Sequence, residues 1–499
     1  MSRRRRWLRL AAAALAGGAV LGAAPPTAAV PAGLPAGVPA GVPAAVPGSR
    51  AAPADTDLPV TVTVTGLEPR DIRPDSAVIV AAVLRNTGRE ATGPLRIRLQ
   101  RGTRMTTRGE LARADTDPPP TGALTTPGVP VGEGLPAGGS RTVRYESSAA
   151  ALALGGLGVY PLALSVVDAS GTEVGRTETL LPYFPPDIDP VRTRVALFWP
   201  LLDRPHRLTG PHASTASAGQ LPVFDDDLLA RAVSPAGRLD RLLTLAEKVT
   251  GSVRLTIAVD PETIDELQTM VSGYRVAASG GRLSTPGRGG PAAAVWLARL
   301  KKIAPDHLLM VVPYGDPDVV AMERGGLGWL AQLEAPDADA VGRVLGVRPT
   351  TDLAWPPDGQ LTDTTLDDVV RQGTDAVVLD PTALPGGRSP EEGATQSGVS
   401  PLPALEGQAV ALVPDAALQR LVAAGADRRN PYAGGARLAE QRLLAELAMI
   451  TAERPNDVRT LVIAPPRRWD PSPAYAAAVL RDLSTLRWLD STTALEAAQ

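Results

Sequence analysis

The 499-residue chain carries 50 Pro and 49 Gly, roughly a fifth of its length, yet 44% of it is hydrophobic and its mean hydropathy is +0.01, which excludes a wholly disordered or collagen-like chain and leaves apolar surface for two sizeable cores. Fifty basic against 53 acidic side chains give a formal charge of −3; without Arg3, Arg4, Arg5, Arg6 and Arg9 of the leader described next it is 45 against 53, or −8, which argues against nucleic acid or an anionic membrane as the main partner. With no cysteine, zinc ribbons, thiol catalysis, disulfides and Cys-linked lipid anchors are excluded.

Residues 1–29 read as a secretion signal, with a basic stretch Ser2-Arg3-Arg4-Arg5-Arg6, an apolar run from Leu10 to Ala24 and small residues up to Ala29. The run is too short and glycine-broken for a permanent span, and Arg4-Arg5-Arg6-Trp7-Leu8-Arg9 also approximates a twin-arginine export signal. Residues 30–56 repeat Pro-Ala-Gly-Leu, Pro-Ala-Gly-Val and Pro-Ala-Ala-Val from Pro31. A proline every fourth residue denies both helix and sheet ladders and predicts an extended tether.

Residues 57–186 show the period-two alternation of strands at Val60 to Val64, Ala77 to Leu84, Leu95 to Leu99, Thr142 to Tyr145, Tyr160 to Val167 and Glu173 to Leu181. Short strands between turn residues predict an immunoglobulin-like β-sandwich, with Pro118 to Gly139 as a loop. Beyond Pro182, Pro185, Pro186 and Pro190, residues 187–499 alternate unbroken apolar runs with amphipathic stretches. Strands are predicted at Val195 to Trp199, Val253 to Val259, Leu308 to Val312, Leu353 to Trp355, Ala376 to Leu379, Ala409 to Val413 and Thr460 to Ala464. Helices are predicted at Arg238 to Val249, Pro261 to Met270, Ala292 to Ile303, Asp316 to Gly325, Thr365 to Gly373, Asp415 to Ala423, Ala436 to Ala452 and Ala474 to Leu483. Apolar runs without alternation suit strands buried on both faces of a parallel sheet. Seven of them over about 300 residues, with no glycine-rich dinucleotide fingerprint, favour a β/α barrel over an open doubly wound sheet.

The strands end alike, in Val259-Asp260-Pro261, Gly315-Asp316-Pro317-Asp318, Leu379-Asp380-Pro381 and Pro414-Asp415. In a β/α barrel such positions line the mouth where active sites are built, so Asp260, Asp316, Asp318, Asp380 and Asp415 are the candidate catalytic carboxylates. The competing reading is local: aspartate before proline starts helices, because the carboxylate caps free amides and proline at the first helical position has no donor to lose. Trp199, Trp355 and Trp469 adjoin Pro or Asp at strand ends, where flat rings beside paired acids suit the binding and cleavage of sugars; they also suit a plug for the barrel end. Asp203, His206, Tyr314 and Arg468 complete the ligand-binding set. The three histidines, His206, His212 and His307, have no helix-borne metal spacing. With no G-x-S-x-G elbow or Walker loop either, no metal and no cofactor are predicted, and Ser279 to Pro291 reads as a glycine-rich insertion.

Four stretches carry a resemblance: Leu197-Phe198-Trp199-Pro200-Leu201-Leu202-Asp203-Arg204-Pro205, Phe224-Asp225-Asp226-Asp227-Leu228 with Gly237-Arg238-Leu239, Ala258-Val259-Asp260-Pro261 with Gly273-Tyr274, and Pro313-Tyr314-Gly315-Asp316-Pro317-Asp318. Across most of Leu58 to Leu489 the chain resembles an actinobacterial family of exported proteins of unknown function, whose genes often sit beside one for a lipid-II-flippase-like membrane protein. The resemblance implies an envelope setting linked to peptidoglycan assembly, and it supplies no catalytic residues. Members often continue into a C-terminal membrane span, and no run of about 18 apolar residues occurs before Gln499. Two readings follow for an exported envelope protein. In one, the acidic, tryptophan-bearing mouth binds, or hydrolyses through paired carboxylates, a cell-wall glycan or its precursor. In the other, an inactive barrel is a scaffold for membrane-bound wall-assembly proteins.

Overall fold

Alternation becomes strand throughout the N-terminal region. The computed structural model describes residues 58–72, 76–117, 121–208, 221–278, 284–331, 337–383, 395, 397–405, 407–424 and 436–499, so the predicted leader, the tether, His212 and the start of the Ser279 to Pro291 insertion lie outside the described residues. Six main strands are β1 (Val60–Glu68), β2 (Ala77–Asn86), β3 (Arg96–Arg101), β4 (Ser140–Ser148), β5 (Gly158–Val167) and β6 (Glu173–Tyr183). β1, β2 and β4 form one antiparallel sheet, and β3, β5 and β6 a second. The inward residues of both, Val62, Val80 and Leu84 from the first and Leu99, Leu162 and Leu164 from the second, share one core. The stretch read as a loop holds two short strands, Leu124–Thr125 and Val129–Pro130, which pair with β3. A helix the alternation did not announce, α1 (Arg108–Arg113), is started by a capping box in which Thr107 and Glu110 satisfy each other's backbone amides.

The seven predicted parallel strands follow in the remainder of the chain: β7 (Thr193–Leu201), β8 (Thr256–Val259), β9 (Leu308–Val311), β10 (Leu353–Ala354), β11 (Ala376–Val378), β12 (Gly407–Leu412) and β13 (Thr460–Ile463). A further short parallel strand, Leu489–Thr492, joins them beside β7. The helices packed outside them include α2 (Arg238–Val249), α3 (Pro261–Ser272), α4 (Gly290–Ile303), α5 (Ala436–Glu453) and α6 (Pro473–Thr485). Successive residues of a strand face opposite ways. Ala196, Phe198, Ala258, Met310, Ala376 and Val462 therefore meet in one interior, while Val195, Leu197, Ile257, Val259 and Leu461 pack against helices. Burial on both faces is why these strands read as unbroken apolar runs.

The expected closed barrel does not form. β9-β8-β7-β13 make one sheet and β10-β11-β12 belong to another, and the two meet through isolated bridges at Met310–Thr350 and Pro414–Val462. The reason is local. The antiparallel strand Val399–Ala404 pairs along the whole length of β12, so that β12 approaches β13 only beyond it, at a proline with no amide to donate. On the other side β10 is two residues long and starts after Pro349.

The two-sheet region and the parallel-strand region are joined through buried charge. Helix α5, whose residues from Ala439 to Thr451 are all buried, packs on β5 and β6. Arg108 of α1, 2% exposed, donates from Nε to Glu446 at 2.6 Å and from its two terminal nitrogens to Asp415, each at 2.8 Å. Arg442 forks onto Asp115 at 2.8 Å and reaches Glu446 at 2.7 Å, and Arg70 pairs with Glu440 at 2.8 Å. Such pairs are costly to break singly because the remaining charge stays buried. Arg108→Met is expected to destabilise the protein by about 3–5 kcal/mol, read as a lower urea midpoint at unchanged slope.

Candidate functional site

Four of the five candidate aspartates are held by backbone amides at the starts of helices. Asp260 accepts from Glu262 N at 2.8 Å as N-cap of α3, with Pro261 in the first turn. Asp318 accepts from Ala321 N at 2.9 Å, and Asp380 from Thr382 N at 2.8 Å. Asp415 accepts from Ala417 and Leu418, each at 3.0 Å, as well as holding Arg108, which removes it from the catalytic set and makes it a joint between the two regions. Two of the tryptophans are equally structural: Trp199 and Trp469 are buried edge to face at 5.2 Å, and their indole N–H groups donate to Leu242 O and Val422 O. Arg468 is exposed.

What the structure does bring together is Asp260, Asp316, Arg467 and Trp355. Gly315 and Asp316 both have positive φ, 75° and 47°, and this tight turn points the Gly315 amide at Asp260 Oδ1, 3.0 Å away. Asp316 lies 3.2 Å from Arg467 Nε, and the Arg467 guanidinium lies over the Trp355 ring, 4.3 Å from its centroid. Asp260 Oδ2, Asp316 Oδ1 and Arg467 Nη1 are buried without hydrogen-bond partners. Burial pushes Asp260 up to about 7, against the pull of its two amide donors, with Glu262 and Asp316 adding to the rise. Burial raises Asp316 too, opposed by Arg467. Of the pair Arg467-Arg468, it is Arg467 that faces the aspartates.

A second cluster surrounds His206, 1% exposed. Its Nδ1 is 2.9 Å from Asp226 and its Nε2 is 3.9 Å from Asp203, which also pairs with Arg238 at 3.2 Å. Burial lowers the imidazole, but Asp203, Asp226 and Glu266 outweigh it and its pKa is raised. Burial raises Asp203, and His206 and Arg238 bring it below the ordinary value. Glu266 accepts from the amides of His206 and Arg207 at 2.7 and 2.6 Å, and burial pushes it up to about 7. His206, Asp225 and Asp226 offer atoms within 4.8 Å of one another, close enough to share a metal ion. Arg204, however, pairs with Asp226 and with Asp225 at 3.1 Å, and its charge fills the place a cation would take.

Among the predicted ligand-binding residues, Tyr314 opens onto a cleft. The cleft, about 430 Å³, lies between α3 and the helix Ala338–Leu345 and is lined by Tyr314, Asp265, Gln268, Asp337, Arg343 and apolar neighbours. The Tyr314 hydroxyl reaches Asp265 at 3.4 Å, and burial beside Glu262 pushes it up to about 12. Asp265 and Gln268 went unnoticed because on sequence they are the polar face of an amphipathic helix. Asp337 and Arg343 lie on a helix that was not anticipated, although Asp337 caps it through Ala340 N at 2.8 Å.

The family model for a family of unknown function (DUF6049) matches residues 2–497. The chain belongs to that family. No curated protein matches this DUF6049 chain. Among solved structures it is similar to a 4-alpha-glucanotransferase from Thermococcus litoralis, at 10% identity and a TM-score of 0.35 over 61% of this chain, which spans only 37% of that enzyme. It is also similar to the CARDB domain of a Pyrococcus furiosus protein, at 10% identity and TM-score 0.17 over 26% of this chain and 92% of that one. A third likeness is to a beta-glucosidase from Listeria innocua in complex with isofagomine, at 14% identity and TM-score 0.16 over 25% and 16% of the two chains. At such TM-scores the likeness assigns neither fold nor activity. Among the described residues of the DUF6049 chain, no helix is long and apolar enough to cross a membrane.

The raised Asp260 fixes the sign of a pH effect in this DUF6049 protein. The folded state keeps a proton that the unfolded chain loses near 3.8, so stability is highest below that value and falls as pH rises to about 7. Asp260→Asn retains an acceptor oxygen for the Glu262 and Gly315 amides and removes the titration. Its stability relative to the parent is expected to improve by on the order of a few kcal/mol between pH 4 and pH 8, as measured by urea unfolding at each pH.

Proposed function

We propose that this chain is an exported cell-envelope protein that binds a cell-wall glycan or its precursor at the C-terminal ends of its parallel strands, and that it holds the glycan without cleaving it. The observation that carries the reading is the Tyr314 cleft, which combines one aromatic ring with two carboxylates, an amide and a guanidinium. A sugar presents that complement in reverse, with apolar ring faces and hydroxyls that both donate and accept. Against cleavage stands the fate of the carboxylates: four are engaged by helix amides, and Asp316 faces Arg467. Glycoside hydrolysis needs two carboxyl groups flanking a bound sugar; none of the five candidates lines the cleft, and of the two carboxylates that do, Asp265 is paired with Arg207 and Asp337 caps a helix. Export rests on the leader, and the envelope setting on the resemblance described at the outset.

The scaffold reading has its own support in the Arg108, Arg442 and Arg70 pairs, which fasten the two-sheet region to α5 as a rigid support. Calorimetric titration of the full chain with soluble muropeptides and wall polysaccharides separates the two. Saturable binding that weakens roughly threefold to tenfold in Gln268→Ala or Arg343→Ala, the worth of one hydrogen bond, is the expected result. No binding, with recovery of a membrane-bound assembly protein on the chain, would establish the scaffold. Release of new reducing ends would overturn the non-cleaving half.

A further inference from the structure

The tryptophans at strand ends are all buried, but one in a connection between strands is not. Trp329 is 60% exposed, and among the described residues the other tryptophans are buried. It lies in the β9–β10 connection, which leaves the cleft at Tyr314 and returns to it at Asp337, both cleft-lining residues.

The stretch that carries it is built. The short helix Val319–Arg324 is capped by Asp318 and tied to the next connection by the Thr362 hydroxyl, which donates to Glu323. It ends in a Schellman turn: Gly326, φ 71°, donates to Glu323 O at 2.9 Å, and Leu327 donates to Met322 O at 2.8 Å. Only glycine takes that φ without cost. The turn Gly328–Ala331 follows directly, with Leu330 N donating to Leu327 O at 2.9 Å, and it leaves Trp329 and Leu327 facing outward. A hydrogen-bonded turn carries the ring on backbone that is already ordered, which leaves less to be ordered on binding.

We infer that Trp329 is the aromatic platform for a sugar ring of the same wall glycan chain that the Tyr314 cleft holds. This rests on the glycan-binding reading above and names the ring that extends it. A lipid surface is the other partner that exposed Trp and Leu suit; the net negative charge of the chain beyond its predicted leader and the polar residues Tyr314 and Asp337 at the two ends of the connection favour the glycan.

The test uses the full chain, soluble glycan strands of two or more disaccharide units, a single disaccharide-peptide, and neutral phosphatidylcholine vesicles. Trp329→Ala, an exposed substitution, is expected to weaken the longer strands roughly threefold to tenfold, the worth of one stacked ring, and to leave the single disaccharide unchanged. Bound strands are expected to shield part of the parent's acrylamide-accessible tryptophan fluorescence, and that shielded part is expected to be missing in Trp329→Phe. Unchanged strand affinity in Trp329→Ala, while Arg343→Ala is weakened, would overturn the platform and leave the cleft standing. Vesicle binding lost in Trp329→Ala with glycan affinity intact would assign the ring to a membrane instead. Absence of glycan binding by the parent would remove the glycan reading and this inference with it.

Discussion

A strand buried on both faces has no wet side on which to turn, so the chain must leave it and begin a helix within a few residues, with every freed amide satisfied. That constraint governs the C-terminal ends of the parallel strands. Asp260, Asp318 and Asp415 each meet it with a carboxylate on two- or three-residue-distant amides, and Pro261 occupies a position where no donor is lost. A row of acids at the strand ends is thus what helix initiation requires, before any ligand is considered. It also accounts for Pro261 and Pro381, which stand directly after Asp260 and Asp380 at the starts of helical turns.

The same economy leaves a residue of unspent chemistry. Asp260 and Glu266 each give one oxygen to two amides and keep the other buried without a partner. Burial then favours the protonated form, and both rise to about 7. Asp260 also accepts from the turn that carries Tyr314 and Asp316, which ties the cleft residue to the start of α3. Charge plays a different part between the two regions, where Arg108 and Arg442 are matched fully enough to serve as fasteners, and each guanidinium forks onto a carboxylate from the other region.

Much of this was legible beforehand. The runs at Val60 and Ala77 announced antiparallel strands, because one wetter face imposes alternation, whereas the strand of the Tyr160 run is buried along its whole length. Helix α2 falls at Arg238–Val249, as its apolar spacing predicts. Several helices lie outside the predicted set although their signals are present: Thr107-x-x-Glu110 and Thr493-x-x-Glu496 are capping boxes, and Asp337 precedes a short amphipathic run. The closed barrel was wrong because ring closure depends on strand edges. Nothing in the apolar pattern of β12 reveals that Val399–Ala404 lies along it.

By itself, the sequence determined what is local: which segments alternate, where helices start, that the strands beyond residue 187 are covered on both sides, and that aspartates gather at their ends. Tertiary structure decided what depends on direction and neighbours. Asp415 faces Arg108, 307 positions away; Trp199 and Trp469 turn inward against each other while Trp329 turns out; and Asp265 and Gln268 meet Tyr314 across a cleft. A residue's type and spacing give its capacity to cap, pair or bind, but which of these it does is settled by the groups that packing brings within about 3 Å of it.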